Sequence, residues 1–198
     1  MFWVILETST INSRKLAYYG PRTLQGKDTV YYKVNLKFND IASKATLELD
    51  SEKFPLVALM FVSDKYKNEA FRVSGLWEYV NYKTDKLKHI PFVFVCEQQN
   101  DSSATFNQLK IMGGKSDNLY FYGWNKNSFD SLNKVFFAGK PIYIDYSFIM
   151  LIDKNRNVRG YYDARYVAEI KRLIEDYQHF RLKEEKNLML KENEIKTQ

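Results

Sequence analysis

Cysteine is nearly missing from this chain. Its 198 residues include one, Cys96. A single thiol excludes an intramolecular disulfide, a CxxC redox pair and a Cys-rich zinc site. No stretch approaches the ~20 consecutive apolar residues of a membrane-spanning helix. The run Met1 to Leu6 is too short for the apolar region of a signal peptide and has no basic residues before it. It reads either as the downstream stub of a membrane anchor or as a short strand. No run of Lys and Arg occurs, although the formal charge is +6. The segment from Arg165 to Gln198 holds 8 basic and 7 acidic residues, so the excess sits in the body as a scattered basic surface. Nucleic acid is therefore not an expected partner. A serine nucleophile elbow, a phosphate-cradling glycine loop, an HExxH helix and internal repeats are also missing.

What is present is an ordinary globular balance: 45% apolar and 27% charged residues, enough for one domain with its own core. Aromatics reach 16%, with 15 Tyr and 14 Phe, which favours sheet. Arg14 to Thr29 reads as irregular and turn-rich. Thr29 to Phe38 alternates and reads as a strand, and Thr46 to Leu49 as a short one. Pro55 to Val62 and Ile90 to Cys96 are continuously apolar, the pattern of strands buried on both faces. Leu119 to Tyr122, Pro141 to Ile144, Phe148 to Ile152 and Val158 to Tyr162 read as further strands, the last two joined by the polar turn Asp153 to Asn157. Helices are expected over about Asn68 to Lys86, from Asp101 or Ser102 to Met112 with Gly113-Gly114 as its stop, and from Asn127 or Ser128 to Gly139. Val167, Ile170, Leu173, Ile174 and Tyr177 keep the spacing of a packed helical face, and after Phe180 the pattern thins into charges. The order is that of an α/β protein. A β-α-β half followed by a hairpin and a closing helix gives a thioredoxin-like, three-layer α/β/α sandwich with extra N-terminal strands and a long C-terminal helix. The expected parts are an N-terminal stub at 1–14, the domain at 15–180 and a charged helical tail at 181–198.

Three stretches carry a resemblance. Lys15 to Gly20 (KLAYYG) followed by Gly26 to Tyr32 (GKDTVYY), Leu119 to Leu132 (LYFYGWNKNSFDSL), and above all Ile149 to Asp163 (IMLIDKNRNVRGYYD) resemble the SCO/SenC family in content and order. The likeness runs from about Lys15 to Tyr177. It implies a thioredoxin-like fold, an N-terminal membrane anchor, a place on the extracytoplasmic (periplasmic) side of the cell envelope and a link to cytochrome oxidase assembly. The family's copper is held by a CxxxC motif after the first buried strand and by a histidine before the final hairpin. Two thiolates and an imidazole make a soft donor set suited to copper. The matching positions here are Asp64, Asn68 and, counting back from Asp153, Asp145. His89 and His179 match neither position. The substituted set offers only oxygen donors, with Lys65 and Lys67 between the first two. It suits at most a hard cation such as Ca²⁺ or Mg²⁺, and no metal or other cofactor is expected.

Cys96 has two readings. At the end of a buried strand it lies where α/β proteins place reactive groups. As a small hydrophobe it is an ordinary strand residue, and Glu97 beside it would raise a thiol pKa rather than lower it. The expected function is that of a non-catalytic SCO-like binding or assembly factor with an unidentified protein partner. The alternative is a thiol oxidoreductase or peroxidase working through Cys96.

Overall fold

The computed structural model describes residues 16–34, 37–39, 46–48, 56–62, 89–98, 118–125 and 148–196. The two continuously apolar runs become neighbouring strands. β5 (Val57–Val62) pairs in parallel with β6 (Phe92–Gln98), in register from Ala58 opposite Phe92 to Val62 opposite Cys96. β7 (Leu119–Asn125) continues the parallel set beyond β6, and β8 (Phe148–Ile152) pairs antiparallel on the other side of β5. β9 (Val158–Asp163) returns antiparallel to β8, giving a five-stranded sheet in the order β7-β6-β5-β8-β9. One closing helix, α1 (Val167–Lys196), follows. At about 1.5 Å per residue it is about 45 Å long, and it runs without interruption across the expected boundary at 180.

Apolar runs on β5, β6 and β8 have a physical reason, since both faces of the sheet are buried. On one face Ala58, Met60, Phe92, Phe94, Ile149, Leu151 and Tyr162 pack against Ile170, Leu173, Ile174 and Tyr177 of α1. On the other, Val57, Leu59, Val93, Val95, Met150 and Ile152 form a second cluster that takes in Val34, Tyr19 and Tyr32. The Tyr177 hydroxyl donates to the His89 carbonyl at 2.7 Å and ties α1 to the start of β6.

The turn between β8 and β9 follows its sequence closely. Asp153 Oδ1 accepts from the amides of Asn155 at 2.9 Å and Asn157 at 3.0 Å. This is the local side-chain bonding that favours Asp at the head of a turn. Arg156 sits at φ 69°, in the left-handed region, where its amide donates back to the Asp153 carbonyl at 2.8 Å. Past the turn, Ile152 faces Val158 while Leu151 faces Gly160, so Arg159 is an extra residue in a β-bulge. The bulge frees its guanidinium to gather distant chain. Nη1 donates to Asp153 Oδ2 at 2.9 Å, Nη2 to the Leu16 carbonyl at 2.8 Å and Nε to the Ala17 carbonyl at 3.2 Å. The group also lies 3.8 Å from the Tyr18 ring centroid and 4.7 Å from that of Phe180. With the Tyr19 amide donating to the Val158 carbonyl at 3.0 Å, the leading segment is held along the open side of β9.

Two expectations are corrected. The stretch Arg14 to Thr29 is not wholly irregular: β1 (Arg22–Gln25) pairs antiparallel with β2 (Asp28–Tyr31). The two-residue connection Gly26-Lys27 makes the hairpin, with Gly26 at φ +64° and nothing near its Cα to demand a missing side chain. One positive φ at the first turn residue is the type II′ pattern, for which glycine is favoured. Nor is Thr29 to Phe38 one strand. β2 stops at Tyr31, and β3 (Lys37–Asn39) pairs separately with β4 (Thr46–Glu48). Between them the Tyr32 amide closes the hairpin base on the Pro21 carbonyl at 2.9 Å. Val34 then turns inward, 2% exposed, with its amide donating to the Arg156 carbonyl at 2.7 Å. Burying Val34 against the turn breaks the alternation's continuity.

The expected strands at Leu119 and Ile90 exist with shifted ends. The helices expected around 68–86, 101–112 and 127–139, and the strand at 141–144, lie outside the described residues.

Candidate functional site

The sheet defines the site's location before any side chain does. β5, β6 and β7 run the same way, so their carboxyl ends share one edge. β8 starts and β9 ends at that same edge, because β8 runs against β5 and β9 against β8. One row there reads Gly123, Cys96, Val62, and beside it Phe148 opposite Asp163. β6 and β7 continue beyond this row with Glu97 opposite Trp124 and Gln98 opposite Asn125. Carboxyl ends of parallel strands are where α/β proteins build their sites.

Of the residues singled out by sequence, Cys96 is placed on this edge by its backbone register. Asp64, Asn68 and Asp145 lie outside the described residues. In sequence, Asp64 follows the last residue of β5 by two positions, and Asp145 precedes the first residue of β8 by three. The two histidines are elsewhere. His89 precedes β6 at the amino end of the parallel strands, and His179 is exposed on α1.

The edge also carries a group that sequence reasoning missed. Asp163, 6% exposed, accepts from Arg165 Nε at 2.8 Å and 3.0 Å, from its Nη2, and from its backbone amide at 3.0 Å. The forked pairing is the geometry in which a guanidinium binds a carboxylate best. Arg165 keeps about a third of its side chain exposed, and the next residue, Tyr166, is 59% exposed. The Arg165 guanidinium lies 6.0 Å from the Phe148 ring and 5.9 Å from that of Tyr166. The pair spans two residues. Its effect is to fix a cation beside an exposed aromatic ring at the start of α1. Chemically it sets a guanidinium beside an exposed aromatic ring. The available signal was the spacing Asp163-Ala164-Arg165 just ahead of the final helix.

Under α1 the buried Tyr162 hydroxyl donates to Asp176 Oδ2 at 2.8 Å, with the Arg172 guanidinium 4.4 Å from its ring. Burial, and then the Asp176 charge, push the Tyr162 pKa far above the usual tyrosine range. Burial works against the Arg172 charge, but its hydrogen bonds and attraction to Glu169 outweigh this and raise its pKa. The group is a structural clamp between α1 and β9. Among the described residues no three His, Cys, Asp or Glu side chains gather closely enough to hold a metal, and no helix is long and apolar enough to cross a membrane.

No family profile matches the sequence, and no curated protein does. Solved structures do. BsSco, a member of the Sco family of cytochrome c oxidase assembly proteins, superposes with a TM-score of 0.51 at 16% identity, over 77% of this chain and 97% of its own. The fold is the thioredoxin-like fold of the SCO proteins. A candidate electron transfer protein from Aquifex aeolicus VF5 shares it with a TM-score of 0.52 at 10% identity, over 83% of this chain and 97% of its own. A candidate electron transport protein from the same organism gives 0.51 at 9% identity, over 80% and 94%. In this thioredoxin-like fold the carboxyl edge of β5, β6 and β7 is the place to look for activity. Copper held by two thiolates and an imidazole does not fit a chain with a single cysteine.

Proposed function

We propose that the protein is a non-catalytic SCO-like binding or assembly factor that uses neither copper nor disulfide exchange. The observation behind this reading is one of composition. An SCO-type fold carries a single cysteine, and the positions matching the copper ligands are Asp64, Asn68 and Asp145. Soft Cu(I) favours thiolate donors that this set does not contain. Disulfide chemistry within the chain needs a second thiol. In this reading the carboxyl edge binds a protein partner, and the Asp163-fixed Arg165 with exposed Tyr166 belongs to that surface. Arg and Tyr are the residue types that most often dominate such interfaces. The domain acts on the extracytoplasmic side of the cell envelope, tethered through its N-terminal segment.

A copper titration in competition with a chelator tests the reading. The expected result is no uptake tighter than about 10⁻⁶ M. The placement of Cys96 in the row between Val62 and Gly123 favours a second reading, a thiol oxidoreductase or peroxidase. Peroxide-dependent dimedone labelling of Cys96 in the same preparation would decide for it.

A further inference from the structure

We propose that the β1–β2 hairpin is a docking surface for an anionic lipid bilayer. The hairpin is unlike the rest of the described chain. Every residue from Pro21 to Val30 is exposed, including Leu24 at 79% and Val30 at 38%. Among the described residues its strands pair only with each other. Two-stranded hairpins with no supporting layer are marginal in water, and an exposed leucine on one gains nothing from the fold itself.

Its charge points to the occupant. Arg22, Lys27 and Lys33 are exposed cations on or beside the hairpin, against a single acid, Asp28. The register puts Arg22 and Leu24 on one face with Tyr31, and the acid Asp28 on the other with Val30. A cation beside an exposed aliphatic side chain suits the interface of an anionic membrane, where the apolar group enters the headgroup boundary and the cation meets phosphate. Tyr18, 44% exposed and stacked at 4.7 Å on Tyr31 at the hairpin base, adds an aromatic of the type that settles at that depth.

The base is fixed while the tip is free. Tyr32 closes it on Pro21, Val34 bonds to Arg156, and Asn157 Nδ2 donates to the Tyr32 carbonyl at 3.3 Å. The hairpin is therefore held at the β8–β9 turn, the end of the sheet opposite to the carboxyl edge. The turn that holds the hairpin base stands about 17 Å from the candidate site along the five residues of β8.

Co-sedimentation of the full chain tests this, using vesicles of phosphatidylcholine alone and vesicles with about 30% phosphatidylglycerol. The wild type is expected to bind the anionic vesicles and not the neutral ones, and to lose binding at about 1 M salt. The double variant Arg22→Glu/Lys27→Glu is expected to bind about tenfold or more weakly, and Leu24→Ser to bind more weakly at equal charge. These side chains are exposed, so circular dichroism and the unfolding midpoint should stay unchanged. Equal binding by wild type and variants would assign any membrane contact to another surface, such as the apolar run at residues 2–6, and overturn the proposal. So would a wild type that ignores phosphatidylglycerol. Neither outcome touches the metal-free reading of the opposite edge, which copper titration reads separately.

Discussion

At the scale of single residues, Gly160 shows how one missing side chain is demanded by another. It lies on β9 two positions before Tyr162, on the same face, and the Tyr162 ring folds back over it. A Cβ there would stand 2.5 Å from the Tyr162 hydroxyl oxygen and 2.7 Å from Cζ. The ring cannot swing away freely, because its hydroxyl is bonded to buried Asp176. Gly160→Ala is expected to destabilise the protein by about 1–3 kcal/mol, as overpacking does, with unchanged secondary structure; a denaturant midpoint equal to wild type would contradict this packing. Burial also sets a pH limit. It pushes the Tyr161 hydroxyl up to about 12, with Tyr19 adding to the effect, and raises Tyr162 and Tyr177 as well. In the unfolded chain tyrosine ionises near 10. Above that pH the unfolded state binds fewer protons than the folded state, so stability that is complete below about pH 10 declines as the pH rises towards 12. Urea midpoints measured across that window should fall steadily, and less steeply in Tyr161→Phe. A flat profile would show that these hydroxyls are solvated.

Among the elements, the β8–β9 hairpin is the one most fully written in the sequence. Apolar strands, an Asp-led polar turn and a returning aromatic strand leave little choice of structure. What the pattern did not reveal is the role of Arg159, because a bulge of one residue leaves no mark on the alternation. Its guanidinium joins the turn, the leading segment and α1 in one contact. The Arg159–Asp153 pair has side-chain exposures of 10% and 7%, so removing one partner leaves the other charge buried. Arg159→Met should cost about 3 kcal/mol and loosen the leading segment first, seen as faster hydrogen exchange at Tyr19 than in the sheet core. Uniform exchange would argue that the segment is held by Tyr19 and Val34 alone. β1 was illegible for a different reason. All four of its residues are exposed, so no apolar period marks it, and only the Gly26-Lys27 pair signals a hairpin. The site was legible in halves. Asp64, Asn68 and Asp145 lie outside the described residues, while strand endings could be read along the chain. Asp163 with Arg165 could not, because only the antiparallel return of β9 brings its end to the edge where β5 finishes.

For the whole molecule, the topology separates two poles. The carboxyl edge holds Cys96, Arg165 and the strand ends leading to Asp64 and Asp145. The opposite pole holds the basic hairpin. The +6 charge is thus informative through where some of it stands rather than through its size. At the first pole, the proposed function is that of an SCO-like domain that binds without copper. The most direct measurement is copper stoichiometry under anaerobic Cu(I) titration, made on the wild type and on the variant Asp64→Cys/Asn68→Cys/Asp145→His. The wild type is expected to bind no copper with a Kd below about 10⁻⁶ M, and the variant one copper per chain. One tightly bound copper per wild-type chain would contradict the proposed function.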